Sequence, residues 1–314
     1  MLELLMAAAL AGAPPQQAEP AQDPPPYQQA PLRLEDVEVI GRPLDTMIRN
    51  FVDHVGAPVY RRNLARWNEG VCVGVANLKG DTAQYIADRV STVAEDLGLR
   101  PGGPGCRANI MVIAAADPSG LASTLIERSP RNFRPGGPGM ELGRTRLRAF
   151  QDSDRPVRWW SISLPMDSHT GQLAVRIPGG DCQHPCDTVD DFAPVIYMTT
   201  SSRISTQIVD NLARVIVIVD AGKLEGITTL QLADYIAMVS LAQIDSEADT
   251  RAYASILNLF EDPEFTPSLS DWDLAYLQGL YSSQRAHRLP GANRAEVAAS
   301  IRRVHRRMQQ GVDN

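Results

Sequence analysis

The sequence predicts a single α/β domain. Its mixed sheet has a parallel strand–helix–strand start, a hairpin in the middle, and a helical C-terminal third. Three observations predict this. Two short apolar runs, Cys72–Ala76 and Ile110–Ala115, are each followed by a helical pattern. That order builds parallel strands joined by a crossover. Val157–Leu164 alternates in polarity as a half-buried strand does. The last third holds three helix starts marked by capping signatures.

The elements follow in order. Met1 to Ala13 reads MLELLMAAALAGA, an apolar run too short to span a bilayer. Its length and its A-x-A sequences fit a signal peptide over residues 1–13, although it carries Glu3 and no Lys or Arg. Pro14 hinders cleavage after Ala13, so Ala11 is the better site. Residues 14–35 are rich in Pro and Gln, cannot bury a core, and read as a linker. The domain is expected over residues 36–312.

Val37–Ile40 alternates as an edge strand. Pro43 to His54 carries Met47, Ile48, Phe51 and Val52 on one helical face, and Pro43 is tolerated in the first turn. Asp81, with Gln84 three residues on, reads as the cap of a helix reaching Leu97. Pro118 to Glu127 is a second helix. Residues 131–144 read as a Gly/Pro loop. Trp160, Ile162 and Leu164 share one strand face, with Trp159, Ser161 and Ser163 on the other. One of the two tryptophans is expected in the core and the other at the surface. The turn Asp167 to Gly171 leads to alternating Leu173, Val175 and Ile177, a hairpin signal. Val215–Val219 (VIVIV) is the strongest strand. Thr228 with Gln231, Ser270 with Asp273, and Asn293 with Glu296 open the last three helices.

Charge excludes some functions. The net charge is −7 over 314 residues. A nucleic-acid partner needs a cationic surface that releases counterions from phosphates, and none is expected here. No later run is long enough for a membrane helix. The four cysteines, Cys72, Cys106, Cys182 and Cys186, suit two disulfides in an oxidising compartment. Of three possible pairings the sequence favours Cys72–Cys106, tying the starts of two neighbouring strands, and Cys182–Cys186, closing a short loop.

Motifs that carry chemistry are weak. Cys182-Gln183-His184-Pro185-Cys186 lacks the second Cys/His pair that structural zinc usually takes. Gly102-Gly103-Pro104-Gly105 precedes a strand and has no Lys-Ser/Thr after it, so it reads as a turn and not a phosphate loop. His54, His169, His184, His287 and His305 offer no i, i+4 pair and read as surface residues. Thr199–Ser202 has no G-x-S-x-G frame. Arg302, Arg303, Arg306 and Arg307 line one side of the last helix, and Val297, Ile301, Val304 and Met308 line the other. That pattern is a docked helix with a solvated face.

The C-terminal third resembles the tail of an uncharacterised proteobacterial family of predicted secreted zinc metalloproteases. The resemblance lies in Ser255, Ile256, Asn258, Leu269, Ser270, Trp272, Asp273, Leu277, Leu280 and Tyr281. Upstream, Leu232–Gln243 stands where that family has its metal-binding helix. The resemblance implies a degenerate zincin-like scaffold. It does not carry the chemistry over. Ala233 falls where the ligand histidine stands in the family, and Asp234 where the glutamate stands. Alanine binds no metal, and a carboxylate without its zinc has no bound water to activate.

The expected function is therefore that of an exported, periplasmic or secreted protein without a catalytic residue, metal or cofactor. Its role is binding or assembly with a protein or another envelope component. Asp234, Tyr235 and Asp245 mark the residual cleft. The rival expectation is a hydrolase drawing metal ligands from Asp234, Asp245, Asp249 or His287.

Overall fold

The computed structural model describes residues 43–68, 70–136, 140–175, 196–197 and 202–312. The export segment, the linker, Val37–Ile40, His184, Cys182 and Cys186 lie outside the described residues.

Helix α1 (Leu44–Val55) follows Pro43, and it buries Ile48, Phe51, Val52 and Val55, the i, i+3, i+4, i+7 stripe of a packed helix. Short strands β1 (Gly70–Val71) and β3 (Arg100–Pro101) pair in parallel. The main sheet contains β2 (Val73–Ala76), β4 (Ile110–Ala115), β5 (Val157–Asp167) and β6 (Ile208–Asp220), in the order β2-β4-β6-β5. β2, β4 and β6 run parallel, and β5 closes the edge antiparallel to β6. Helices α2 (Gly80–Asp96) and α3 (Pro118–Arg128) follow β2 and β4, so the mixed sheet with a parallel start is present as expected. Cys72 and Cys106 form a disulfide, with Cα atoms 6.0 Å apart, beside the starts of β2 and β4.

Each sheet face has its own cover. Ile216 and Ile218 of β6 and Trp160 and Ile162 of β5 pack with Phe133 of α4 (Pro130–Phe133) and with Leu147 and Phe150 of α5 (Arg144–Asp152). The opposite face meets α6 (Thr229–Leu241), whose residues from Gln231 to Leu241 are all buried. A helix buried on every side has no face to offer water, so its polar groups must find partners inside the protein. Behind α6 lie α7 (Asp271–Ser282) and α8 (Pro290–Val312). Gly279 of α7 sits against the backbone of α8. A Cβ there would come within 2.8 Å of the Ile301 nitrogen, so no side chain fits. Among the described residues no helix is long and apolar enough to cross a membrane.

β5 pairs antiparallel with β6 along one edge. On the other edge the expected hairpin begins: the Asp167 N–H donates to the Gln172 carbonyl and the Ala174 N–H to the Pro165 carbonyl, both at 2.8 Å, and Leu173 bridges Met166. The remainder of that strand, from residue 176, lies outside the described residues. Several local expectations are corrected. Trp159 and Trp160 are both buried, at 7 % and 2 % exposure, because helices cover both faces of this edge strand. Their indoles donate to the carbonyls of Ile244 and Phe133 at 3.0 and 2.9 Å. Asp81 does not cap α2, which begins at Gly80 after Lys79; Gln84 donates instead to Asp88 at 2.7 Å. The expected loop over 131–144 contains most of α4 and the first residue of α5. α8 starts at Pro290, where the fixed φ of proline suits a first helical turn. Asn293 is thereby inside the helix, and its amide oxygen accepts from the Leu64 N–H at 3.1 Å. His305 is buried, not at the surface, and neither ring nitrogen has a partner.

Candidate functional site

Consecutive residues of α6 look out on different surroundings. The Thr228 hydroxyl and Gln231 amide close a capping box at its start. This fixes the rotation of the helix before Asp234 and Tyr235 are reached. Asp234 is fully buried. Arg89 of α2 donates to its two oxygens at 2.6 and 3.3 Å, and the Leu269 N–H donates at 2.9 Å. One carboxylate thus joins α2, α6 and the entry to α7. Burial alone disfavours such a charge, and complete pairing keeps it in place. Asp234 is not the solvated helix residue that a lone carboxylate in sequence suggests.

Tyr235 lines a cleft of about 220 Å³. Its ring sits edge-on to Trp159 of β5 at 6.1 Å and to Phe260 at 5.0 Å. Its hydroxyl has no hydrogen-bond partner among the described residues, and burial pushes its pKa well above the usual phenol range. The rim comes from residues 245–251 after α6, from Asn258 and Glu261, and from Arg155 just before β5. The Asn258 amide donates to the carbonyls of Thr250 and Tyr253 at 3.1 and 2.8 Å and accepts from the Thr250 hydroxyl at 2.6 Å. That pins the loop forming one wall.

Most rim charges are matched. Arg146 of α5 holds Asp245 through two bonds of 3.1 and 3.0 Å and also reaches Glu247. Arg251 pairs with Asp249 at 2.6 Å and draws that carboxyl down to about 2. Arg155 and Glu261 differ. Among the described residues, neither side chain makes an ion pair or hydrogen bond, and both bear electrostatically on the Tyr235 hydroxyl.

The fold brings Tyr235, Asp245 and Asp249 to this cleft. Asp234 is instead locked to Arg89. His287 is not part of the lining: its carbonyl accepts from the Asn63 amide at 2.8 Å, and its backbone bridges Ser205. Asn63 leads from there to Asp210, where Arg62 pairs with the carboxylate at 2.6 Å. Sequence reading missed Arg89, Arg146, Arg155 and Glu261. None lies in a motif, and all reach the site across long stretches of chain. Trp159 carries a weak sequence signal, as one of two tryptophans on opposite strand faces.

A zinc ion does not fit the α6 position that the family resemblance marks. Ala233 offers a methyl group, and both oxygens of Asp234 already accept from Arg89 and Leu269. Among the described residues, no group of three or more His, Cys, Asp or Glu side chains is arranged to hold a metal. Comparison with protein-family models, curated proteins and solved structures gives no match to this chain.

Proposed function

We propose that this protein is a non-catalytic, exported binding protein of the bacterial envelope, built on a scaffold resembling that of a zincin-like protease. The observation that carries this reading is Asp234. The carboxylate standing where the resemblance expects a general base is wholly buried and spent on Arg89 and Leu269. A general base must reach the proton that it removes, directly or through one water, and this one cannot. Tyr235, the next residue, is the one that α6 turns to the cleft, and a phenol held above its usual pKa serves as a hydrogen-bond donor.

The Cys72–Cys106 disulfide supports an oxidising compartment. The signal-like start of the chain supports export, to the periplasm or the outside of the cell. The residues that carry the resemblance act as packing groups. Asp273 accepts from the Ser255 hydroxyl at 2.6 Å, the Ile256 N–H at 2.8 Å and the Ser270 N–H at 3.0 Å, and the Tyr281 hydroxyl donates to the Leu241 carbonyl at 2.7 Å. These contacts back α6 without providing chemistry.

Metal analysis of the purified chain tests the reading, together with a peptide-hydrolysis assay in added zinc. The expected result is substoichiometric zinc and no turnover. One tightly held zinc per chain, with hydrolysis lost on chelation, overturns it.

A further inference from the structure

The cleft beside Tyr235 has a charge pattern that selects its ligand, and this inference rests on the binding role proposed above. Six of its lining residues are charged. Asp245 and Glu247 share Arg146, and Asp249 pairs with Arg251. Of the six, only Arg155 and Glu261 make no ion pair or hydrogen bond among the described residues, Glu261 acting on Arg251 only at longer range. They are not paired to each other, although both are close enough to Tyr235 to bear on its hydroxyl, with opposite sign. The cleft is thus lined by a cation and an anion that are not joined to each other, and by an unpartnered phenol. Trp159 and Tyr235 supply a firm apolar floor, because both are buried and the Trp159 indole is anchored to the Ile244 carbonyl at 3.0 Å.

We infer that this cleft binds a small zwitterion of the amino-acid or dipeptide type, its carboxylate on Arg155 and the Tyr235 hydroxyl and its ammonium on Glu261. A guanidinium matches a carboxylate with two parallel N–H bonds, and a phenol donates a third. A carboxylate accepts from an ammonium in turn. The volume of about 220 Å³ is below that of a drug-sized pocket, which restricts the occupant to a few heavy atoms or to the end of a longer chain. A ligand with a single charge leaves one of the two side chains unmatched. A neutral ligand leaves both.

Titration calorimetry or NMR on the full chain tests this with L-alanyl-L-alanine as the probe. Its N-acetyl and C-terminal amide forms each remove one charge. The free dipeptide is expected to bind, and each capped form to bind about tenfold more weakly, the lower end of what a hydrogen bond to a charged group contributes. The pattern should cross over in the variants. Arg155→Gln should bind dipeptide and amide alike, and Glu261→Gln should bind dipeptide and N-acetyl form alike. Both side chains are exposed, so both variants should melt with the parent protein. Equal binding of all three probes, or no binding of any, overturns the zwitterion assignment. Equal binding leaves the binding role standing. Hydrolysis of the dipeptide would instead defeat the non-catalytic reading.

Discussion

The two sides of α6 show how one helix separates stability from recognition. On the α2 side Asp234 is fully buried and every oxygen has a donor. On the cleft side Tyr235 is nearly as buried, yet its hydroxyl is unmatched. Polar groups are costly to bury, so an interior completes their bonds wherever packing alone is at stake. A polar atom that is left free where a cavity opens is available to something else. The difference between these neighbours teaches that burial alone does not identify a structural residue; the state of its partners, together with an opening beside it, does.

The largest effect should come from removing Arg89. Arg89→Leu leaves a buried carboxylate with one donor, and the cost should be about 3–4 kcal/mol in urea denaturation. Loss of less than about 1 kcal/mol would break the comparison at its packed side. Next comes the clamp behind α6. Asp273→Ala strands the Ser255, Ile256 and Ser270 donors and should cost about 2–3 kcal/mol by the same measurement.

A smaller effect should appear with pH. Burial holds His305 of α8 below its usual value of 6.5, and Asp271 only partly opposes this. The unfolded chain therefore takes up a proton first. The stability linked to His305 should be complete above pH 6.5 and be lost as pH falls below it. His305→Leu should flatten the slope of melting temperature between about pH 7 and pH 5.5. An unchanged slope would show that the residue does not report on α7–α8 packing. The smallest effect on stability should come from Tyr235→Phe, under about 0.5 kcal/mol, because no hydrogen bond is lost. The same variant should weaken ligand binding at the cleft, and that contrast with Arg89→Leu is the sharpest form of the comparison.

Much of the architecture was legible because it is written locally. The capping boxes at Thr228 and Ser270 and the apolar runs of β2, β4 and β6 need only short-range patterns. The Cys72–Cys106 pairing followed from placing two strand starts side by side. Helix α5 was hidden because its polar, arginine-rich sequence carries only Leu147 and Phe150 as inward residues. The pairing of β5 with β6 was not legible, because alternation shows that a strand exists but not every strand that pairs with it. At the site, sequence reading named Tyr235 and Asp245 from their place on or just after α6. It could not supply Arg155 or Glu261, since an unmatched charge is defined by partners that only the fold brings close or keeps away.

The return of α8 to α1 bears on how the chain matures. Arg302 pairs with Asp45 at 2.8 Å and Arg294 with Asp53 at 2.8 Å, and the Leu64 N–H is satisfied only by Asn293. Phe51 of α1 also packs on Tyr253 and on Trp272 and Tyr276 of α7, so the cover of this helix is drawn from the last part of the chain. Contacts this distant in sequence form slowly, since a long loop must close before they give anything back. The cover of α1 is therefore completed only at the end of synthesis, after the sheet has already had its strands available to pair.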